Sequence, residues 1–427
     1  MSSNYNTYTL PNGLRIIHKP SVAKVVYCGY QIAAGTRHEL PGEEGMAHFC
    51  EHMTFKGTRT RNALQIINSL EQLGGDLNAF TNKEDTTFYA AIQKEHIAKT
   101  VSLLTDIVFN STYPQHEIDK EVEVICDEIE SYNDSPAELI YDEFENMLFE
   151  GHPLGHNILG QADQLRTYTT EDALKFVRRN YLPEKTVFFI YGDVEFKWVV
   201  KAVKKKLDTI TPPKVGGDRG GLGKQMDKDK NIPLFSPPLT PPNSGGEIIT
   251  REIGSHQAHV MMGTVGYDIH HSMRIPLYLL NNILGGPSMN ARLNLALRER
   301  NGLVYTVEST MVTYSDTGMW SIYFGCDPHD VNKCLRLIRR ELDKVMQKPL
   351  SANALRIAKQ QLKGQIAVAC DNREQFALDF GRSFLHYGWE KNVDRLFESI
   401  DKISADDIQK VANELFATNK LKVLIFR

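Results

Sequence analysis

The sequence predicts an α+β protein built from two homologous domains of one fold, each with an antiparallel-rich sheet packed against helices. Three observations favour this fold. A strand followed by two amphipathic helices occurs in each half, and the two copies are displaced by about 235 residues. Each half also ends in a strand of buried type, and a segment rich in Pro and Gly separates the halves. The alternative is a chance recurrence of this order, but the agreement of three consecutive elements and their loops favours duplication.

The individual elements follow from hydrophobic periodicity. Alternating or continuous β-rich runs predict strands, and apolar residues at spacings of three and four predict helices. In the first half, these patterns predict strands over 78–81 and 86–92, helices over 95–108 and 115–132, and a strand over 186–191. In the second half, they predict a strand over 319–325, helices over 329–346 and 351–369, and a strand over 421–426.

The segment between the halves has almost no apolar periodicity. Its abundance of Pro and Gly is typical of a linker. We therefore predict an N-terminal domain over 1–211, a linker over 212–246 and a second domain over 247–427.

Composition excludes several classes of protein. The 427 residues have a formal net charge of −4, which argues against a nucleic-acid-binding protein. No run approaches the ~20 apolar residues of a membrane span, so we expect no membrane-spanning segment. The first residues lack the basic and apolar regions of a secretory signal, and we predict a cytoplasmic location. The six Cys have no paired spacing and indicate free thiols.

One segment is strongly acidic inside this nearly neutral chain. Residues 115–150 contain nine Glu and four Asp against a single Lys. If this charge faces a binding site, it predicts a preference for basic ligands that weakens with salt.

The sharpest local motif is His48-Phe-Cys-Glu51-His52. On a helix, positions i and i+4 lie one above the other, so both imidazoles can present a nitrogen to one metal ion. Glu51 shares this face but is offset, which places it near a metal-bound water rather than the metal. A surface helix that carries these residues by chance is the alternative.

A catalytic zinc site needs a third protein ligand and an open position for water. Glu121 and Glu128 are seven residues apart on the helix predicted over 115–132 and therefore share one face. Glu128 is a plausible third ligand, with Glu121 orienting a histidine. Spacing alone does not select Glu128 from the nine glutamates, and a solvated helix face remains an alternative for each.

The motif and the distal Glu128 resemble the inverted-motif zinc peptidases of the pitrilysin, insulysin and mitochondrial processing peptidase family. The resemblance covers nearly the whole chain, because Leu73-Gly-Gly75, Asn78-Ala-Phe-Thr81 and Arg298 with Tyr305 match family landmarks in the same order. Departures are a long linker and Cys50. The resemblance implies a zinc-dependent endopeptidase that cleaves unfolded or presequence-like peptides in a closed chamber.

The resemblance also implies the role of each residue. One Zn²⁺ per chain is held by His48, His52 and Glu128, supported by Glu121. Glu51 acts as the general base, and Arg298 and Tyr305 donate to the substrate carbonyl and the developing oxyanion. Without the resemblance, Arg298 is better interpreted as an exposed helix charge and Tyr305 as a core aromatic.

In relatives, the edge strand that begins at Asn78, Ala79 and Phe80 pairs with the backbone of an extended peptide. The second half has no His or Glu in place of the motif, which predicts a non-catalytic copy. Relatives of this size pair around a chamber, and we predict a homodimer whose sites are completed in trans. The alternatives are a non-catalytic assembly subunit and a precursor-processing peptidase that acts with a partner subunit.

Overall fold

The computed structural model describes residues 5–209, 246–388 and 392–427. These residues form two β-sheets, one in each half of the chain, and helices pack against both. The predicted fold class is confirmed. The predicted linker lies, except for its last residue, outside the described residues, and the domain boundaries stay a prediction. Among the described helices, none is long and apolar enough to cross a bilayer. All six cysteines carry free thiols, as expected.

The N-terminal half contains a six-stranded sheet and eight α-helices within the described residues. Its strands are β1 (Asn6–Thr9), β2 (Arg15–Pro20), β3 (Val25–Ile32), β4 (Asp76–Thr81), β5 (Thr86–Gln93) and β6 (Thr186–Gly192). Its helices are α1 (Met46–Thr54), α2 (Ala63–Glu71), α3 (Ile97–Asn110), α4 (Gln115–Asn133), α5 (Pro136–Leu148), α6 (Ala162–Leu165), α7 (Thr170–Asn180) and α8 (Phe196–Asp208).

The C-terminal half contains a five-stranded sheet and six α-helices within the described residues. Its strands are β7 (Ile248–Arg251), β8 (Ala258–Val265), β9 (Val304–Thr313), β10 (Gly318–Cys326) and β11 (Lys422–Phe426). Its helices are α9 (Arg274–Gly285), α10 (Val331–Gln347), α11 (Ala352–Ala369), α12 (Arg373–Tyr387), α13 (Val393–Lys402) and α14 (Ala405–Leu415).

The two sheets have the same topology. The N-terminal order is β1-β2-β6-β3-β5-β4, and the C-terminal order is β7-β11-β8-β10-β9. Each sheet has one parallel pair, β2 with β6 and β7 with β11, and its other neighbours are antiparallel. Only β1 lacks a counterpart among the described strands. The shared order supports duplication, and it leaves β4 and β9 as equivalent edge strands.

Several helices begin where the sequence offers a capping residue. Asn62 accepts a hydrogen bond from the backbone N–H of Gln65 at the start of α2, and Thr169 caps α7 in the same way. Ser404 does so for α14. Since a cap satisfies backbone N–H groups that have no partner inside the helix, these residues define where each helix starts.

Each half packs one helix against the sheet of the other half. Phe144 of α5 lies in a buried cluster with Met261 and Leu424 of the C-terminal sheet. Conversely, Phe380 of α12 lies with Phe189 of the N-terminal sheet. Strands β6 and β10 are therefore covered on both faces, which explains their nearly continuous burial. This exchange makes the halves one packed unit.

The acidic segment is divided between two environments. Helix α4 exposes Glu123, Asp127 and Glu130. Helix α5 instead contributes to the contact between the halves, where Glu145 accepts a hydrogen bond from the Tyr314 hydroxyl and Glu143 pairs with Arg251. Part of the negative charge is therefore used in packing between the halves, and only the remainder can attract a basic ligand.

Candidate metal centre

Helix α1, which carries the motif, has an unusual start. Gly45 precedes it with φ 86°, a left-handed conformation that favours glycine. A Cβ at this position would lie 2.7 Å from the carbonyl oxygen of Leu159. The buried carboxylate of Glu39 accepts hydrogen bonds from the backbone N–H groups of Gly45 (3.0 Å) and Ala47 (2.8 Å). Glu39 thereby caps the helix and fixes the start of the motif.

His48 and His52 lie on one face of α1, with ring centroids 4.6 Å apart. On the neighbouring helix α4, Oε2 of Glu128 is 3.8 Å from Nε2 of His48 and 3.4 Å from Nε2 of His52. One ligand atom from each residue lies within 4.8 Å of the others. Ligands at about 2.0–2.1 Å around a tetrahedral zinc ion are roughly 3.4 Å apart. The three side chains therefore fit a metal ion of this type.

Glu121 lies on α4 seven residues before Glu128, and it supports His52. Its Oε1 is 3.0 Å from Nδ1 of His52, and its Oε2 is 2.5 Å from Nζ of Lys56. Burial raises the pKa of Glu121, but the hydrogen bonds of His52 and Lys56 outweigh burial and hold that pKa below its usual value. A carboxylate bonded to Nδ1 leaves Nε2 of the same ring for a metal.

The two histidines differ in the direction in which their surroundings shift the pKa. Burial, with a smaller contribution from His52, lowers the pKa of His48 to about 3, so its imidazole is neutral and available as a ligand at neutral pH. Burial also lowers the pKa of His52, but the hydrogen bond with Glu121 and the nearby carboxylates raise it overall. Because these carboxylates favour the protonated imidazole, a metal at His52 competes with a proton for the ring.

Glu51 lies beside the cluster without joining it. Its Oε2 accepts a hydrogen bond from the Thr81 hydroxyl at 3.1 Å, at the end of strand β4. Burial raises the pKa of Glu51 to about 7, and Glu128 adds to this, whereas His52 and Thr81 oppose it. A carboxyl with a pKa near 7 can both accept and return a proton at neutral pH.

The predicted peptide-binding residues lie on a strand that has one unpaired edge within the described residues. Asn78, Ala79 and Phe80 belong to β4, which pairs with β5 and ends the N-terminal sheet. The backbone N–H and C=O groups on the outer side of β4 are available for another extended chain. Because Thr81 ends this strand, the free edge leads directly to Glu51.

Arg298 and Tyr305 lie elsewhere, in a cleft of about 620 Å³ whose lining residues all belong to the C-terminal half. Tyr305 is the second residue of β9 and is 83% exposed, and Arg298 lies in a π-helical segment over Asn294–Glu299. Within the described chain, the structure unites the four motif and metal-cluster residues but does not bring Arg298 and Tyr305 into that cluster.

Comparison with known proteins identifies the family. Residues 15–162 match the model described as insulinase (peptidase family M16), and residues 167–362 match the peptidase M16 inactive domain. An uncharacterized zinc protease of Bacillus subtilis, YmxG, is 30% identical over 98% of this chain and 97% of its own. An uncharacterized zinc protease of Rickettsia bellii is 31% identical over 100% and 98%. The chain belongs to the insulinase family of peptidases.

Solved structures share the fold of this insulinase-family chain. A protease from Helicobacter pylori superposes with a TM-score of 0.87 at 21% identity and covers 99% of both chains. A peptidase M16 inactive domain from Pseudomonas fluorescens gives 0.85 at 18% identity, covering 99% of this chain and 98% of its own. The predicted family and its two-domain architecture are thus confirmed. The names of the sequence relatives support zinc as the metal of the family.

Sequence reasoning missed residues that shape the site of this family member. Glu39 has no helical or strand pattern that links it to α1, and only the folded chain shows it as a cap. Lys56 lies beyond the end of α1 and pairs with Glu121 on α4, a contact between distant residues that no local spacing indicates. The hydroxyl of Thr81 was noted only as part of a strand.

Proposed function

We propose that this chain is a zinc-dependent endopeptidase that hydrolyses extended, unfolded peptides. The observation that carries the proposal is the convergence of His48, His52 and Glu128 beside Glu51, at the end of a free strand edge. A scaffold subunit has no need of a buried carboxyl with a pKa near 7 next to three metal-ligating groups.

The metal is assigned to the three residues that converge. His48, His52 and Glu128 would hold one zinc ion per chain, and Glu121 would keep His52 in the orientation that offers Nε2. When bound, zinc polarises a carbonyl and lowers the pKa of its water to about 7.

Glu51 is assigned the proton transfers. It accepts a proton from the attacking water and later donates that proton to the nitrogen of the leaving amine. Its raised pKa suits both steps, because a carboxyl with a pKa near 7 accepts a proton and gives it up with similar ease at neutral pH. Its hydrogen bond from Thr81 fixes one carboxylate oxygen and leaves the other for the water.

The free edge of β4 is assigned to peptide binding. Asn78, Ala79 and Phe80 would add the substrate to the sheet through main-chain hydrogen bonds, which any extended sequence offers. Folded proteins lack an unpaired extended segment, so the site selects unfolded peptides and accepts many sequences. The exposed acidic residues of α4 favour basic peptides among them.

Arg298 and Tyr305 are assigned to the substrate carbonyl and the developing negative charge on it. Because their cleft is lined by the C-terminal half alone and Tyr305 is exposed, we propose that a second copy of the chain supplies them to this metal centre. A homodimer then completes its own sites in trans. A cytoplasmic location stays a prediction.

The direct test is the variant Glu51→Gln, which keeps the shape of the side chain but does not accept the proton. We expect turnover of an internally quenched peptide to fall by about 10²- to 10⁴-fold, with zinc content unchanged by metal analysis. Glu71→Gln, an exposed position on α2, is the matched control and retains full turnover.

Three outcomes oppose the proposal in different ways. Undiminished turnover in Glu51→Gln excludes Glu51 as the base. A wild-type protein that holds zinc but cleaves no peptide supports the assembly subunit instead. Cleavage of a single precursor only when another protein is added supports the processing peptidase with a partner subunit.

A further inference from the structure

The turn between β4 and β5 contains three consecutive charged residues that are almost completely buried. Lys83, Glu84 and Asp85 are 3%, 5% and 0% exposed. Burial of a charge is costly unless a partner of opposite charge and hydrogen bonds compensate for it. Such a turn at the end of a hairpin is ordinarily solvated, and its burial therefore requires specific partners.

The partners of Glu84 lie largely in the C-terminal half. Its carboxylate accepts hydrogen bonds from the Ser315 hydroxyl at 2.6 Å and from the Ser315 backbone N–H at 3.1 Å. Arg37 pairs with Glu84 and also with Asp316, whose Oδ2 is 2.7 Å from Nη2 of Arg37. Ser315 and Asp316 form the turn between β9 and β10. The equivalent hairpins of the two halves therefore meet turn to turn.

The partners of the other two residues come from the exchanged helices and their neighbourhood. Asp85 accepts from Nε of Arg382 at 3.0 Å and lies 2.9 Å from Nε2 of His386, both on α12. Lys83 donates to the backbone carbonyl of His156, which follows α5. The C-terminal half thus supplies the charge partners of Asp85 and the Ser315 hydrogen bonds of Glu84, whereas Arg37 and His156 of the N-terminal half pair with Glu84 and Lys83.

The same hairpin ends next to the proposed base. Thr81 directly precedes the turn and donates to Glu51. Across the hairpin, Thr86 pairs with Thr81 and anchors the start of β5 through a hydrogen bond to the carbonyl of Ala34 at 2.7 Å. A displacement of the turn would therefore move the hydroxyl that orients Glu51.

We propose that Thr81 is a positioning residue for Glu51, and that Glu84 holds Thr81 in place by joining the β4–β5 turn to the β9–β10 turn of the C-terminal half. The half without metal ligands then contributes to the geometry of the base within the same chain. This inference rests on the proposed peptidase function.

The first experiment removes only the hydroxyl. Thr81→Val eliminates the donor, whereas Thr81→Ser retains it. Misplacing a reacting group by a fraction of an ångström reduces rate rather than substrate affinity, so we expect kcat of Thr81→Val to fall on the order of tenfold, with KM within about twofold of wild type. Thr81→Ser keeps nearly full kcat, and both variants retain full zinc content.

The second experiment tests the turn. Glu84→Gln is expected to lower kcat on the order of tenfold with zinc retained. The matched control is Asp106→Asn, since the Asp106 carboxylate is also shielded and paired, but with Thr58, Thr60 and Arg61 of its own half. This control lowers the melting temperature without changing kcat per folded molecule.

The double variant Thr81→Val with Glu84→Gln decides whether the two residues act together. If Glu84 acts through Thr81, the double variant loses no more kcat than Thr81→Val alone. Fully additive losses overturn the proposed connection. A Thr81→Val enzyme with wild-type kcat, or a Thr81→Ser enzyme as slow as Thr81→Val, overturns the role of Thr81 even if Glu84→Gln does not fold. If Glu51→Gln is also fully active, Glu51 is not the base and the premise of this inference is wrong, whereas a wild-type protein that cleaves no peptide contradicts the proposed function itself.

Discussion

The two halves share one sheet topology, yet the equivalent helices α1 and α9, which follow the equivalent strands β3 and β8, carry different side chains. In the N-terminal half, α1 directs His48, Glu51 and His52 towards α4 and a free strand edge. In the C-terminal half, α9 follows β8 as α1 follows β3. Its Asn281 instead bonds to the backbone of Ser309 and to the indole N–H of Trp320, both at 3.0 Å.

The supporting helices differ in the same way. Counted from the helix start, α11 has Gln365 and Ala358 where α4 has Glu128 and Glu121. Gln365 donates to the Ser288 hydroxyl at 2.6 Å. At these positions the polar side chains of the C-terminal half hydrogen-bond within that half, whereas His48, His52 and Glu128 of the N-terminal half converge on one point. One backbone supports both arrangements, and the side chains alone decide which half can hold the proposed metal.

The largest expected difference between the halves concerns the metal. His52→Ala removes one of three ligands, so we expect loss of stoichiometric zinc and of detectable peptide turnover. Asn281→Ala removes hydrogen bonds of the equivalent helix, and we expect full zinc content with a free energy of unfolding lower by roughly 1–3 kcal/mol. Metal analysis and chemical denaturation measure both. Zinc retained in His52→Ala would show that the metal is held elsewhere.

The next effect tests what the C-terminal half supplies to the reaction. Tyr305→Phe removes a proposed donor to the developing oxyanion, and we expect kcat to fall by about 10²- to 10³-fold with zinc retained. Mixing this variant with Glu51→Gln tests completion in trans, because each mixed dimer has one intact site. Recovered turnover supports the homodimer, and a mixture as inactive as its components contradicts it.

A smaller effect is expected for the residue that orients His52. Glu121→Gln weakens the support of the imidazole and is expected to reduce zinc affinity by about 10- to 100-fold, as measured by competition with a chelator. Glu123→Gln on the same helix is the matched control, because Glu123 is exposed and pairs with Arg166. Equal zinc affinity in the two variants would remove Glu121 from the site.

The smallest effect concerns the contact between the halves. Burial raises the pKa of Asp85, but Arg382, His386 and Asn82 lower it overall to about 2. Since the folded pKa lies below the unfolded value of about 3.9, this carboxylate stabilises the fold above pH 4, and the contribution is lost as the pH falls through 2. We expect Asp85→Asn to cost about 2 kcal/mol at pH 7 and progressively less below pH 4. A cost independent of pH, measured by denaturation, would contradict this.

Much of the architecture was predictable because regular elements repeat their backbone angles. The predicted strand over 86–92 is β5, and the predicted helices over 95–108 and 115–132 are α3 and α4, each within about two residues. The displacement of about 235 residues between the copies corresponds to the matching strand orders. The spacing of His48 and His52 likewise predicted their shared face.

Other features required the folded chain. Spacing alone did not select Glu128 from the nine glutamates of the acidic segment. Only the packing of α4 against α1 places Glu128 near His52. Strands over 78–81 and 86–92 were predicted, but no local signal indicated that residues 82–85 between them are buried against the C-terminal half. Likewise, nothing in the sequence of α5 and α12 indicates that each packs on the sheet of the other half.

The sequence by itself determined the elements, their repetition and the residue types capable of binding zinc, because these depend on local periodicity and side-chain chemistry. The tertiary structure decided which carboxylates reach the histidines, how Glu39 caps α1 and how three charged residues are buried close to the proposed base. Those contacts join residues far apart in the chain, and their geometry depends on the packing of sheets and helices rather than on any local pattern.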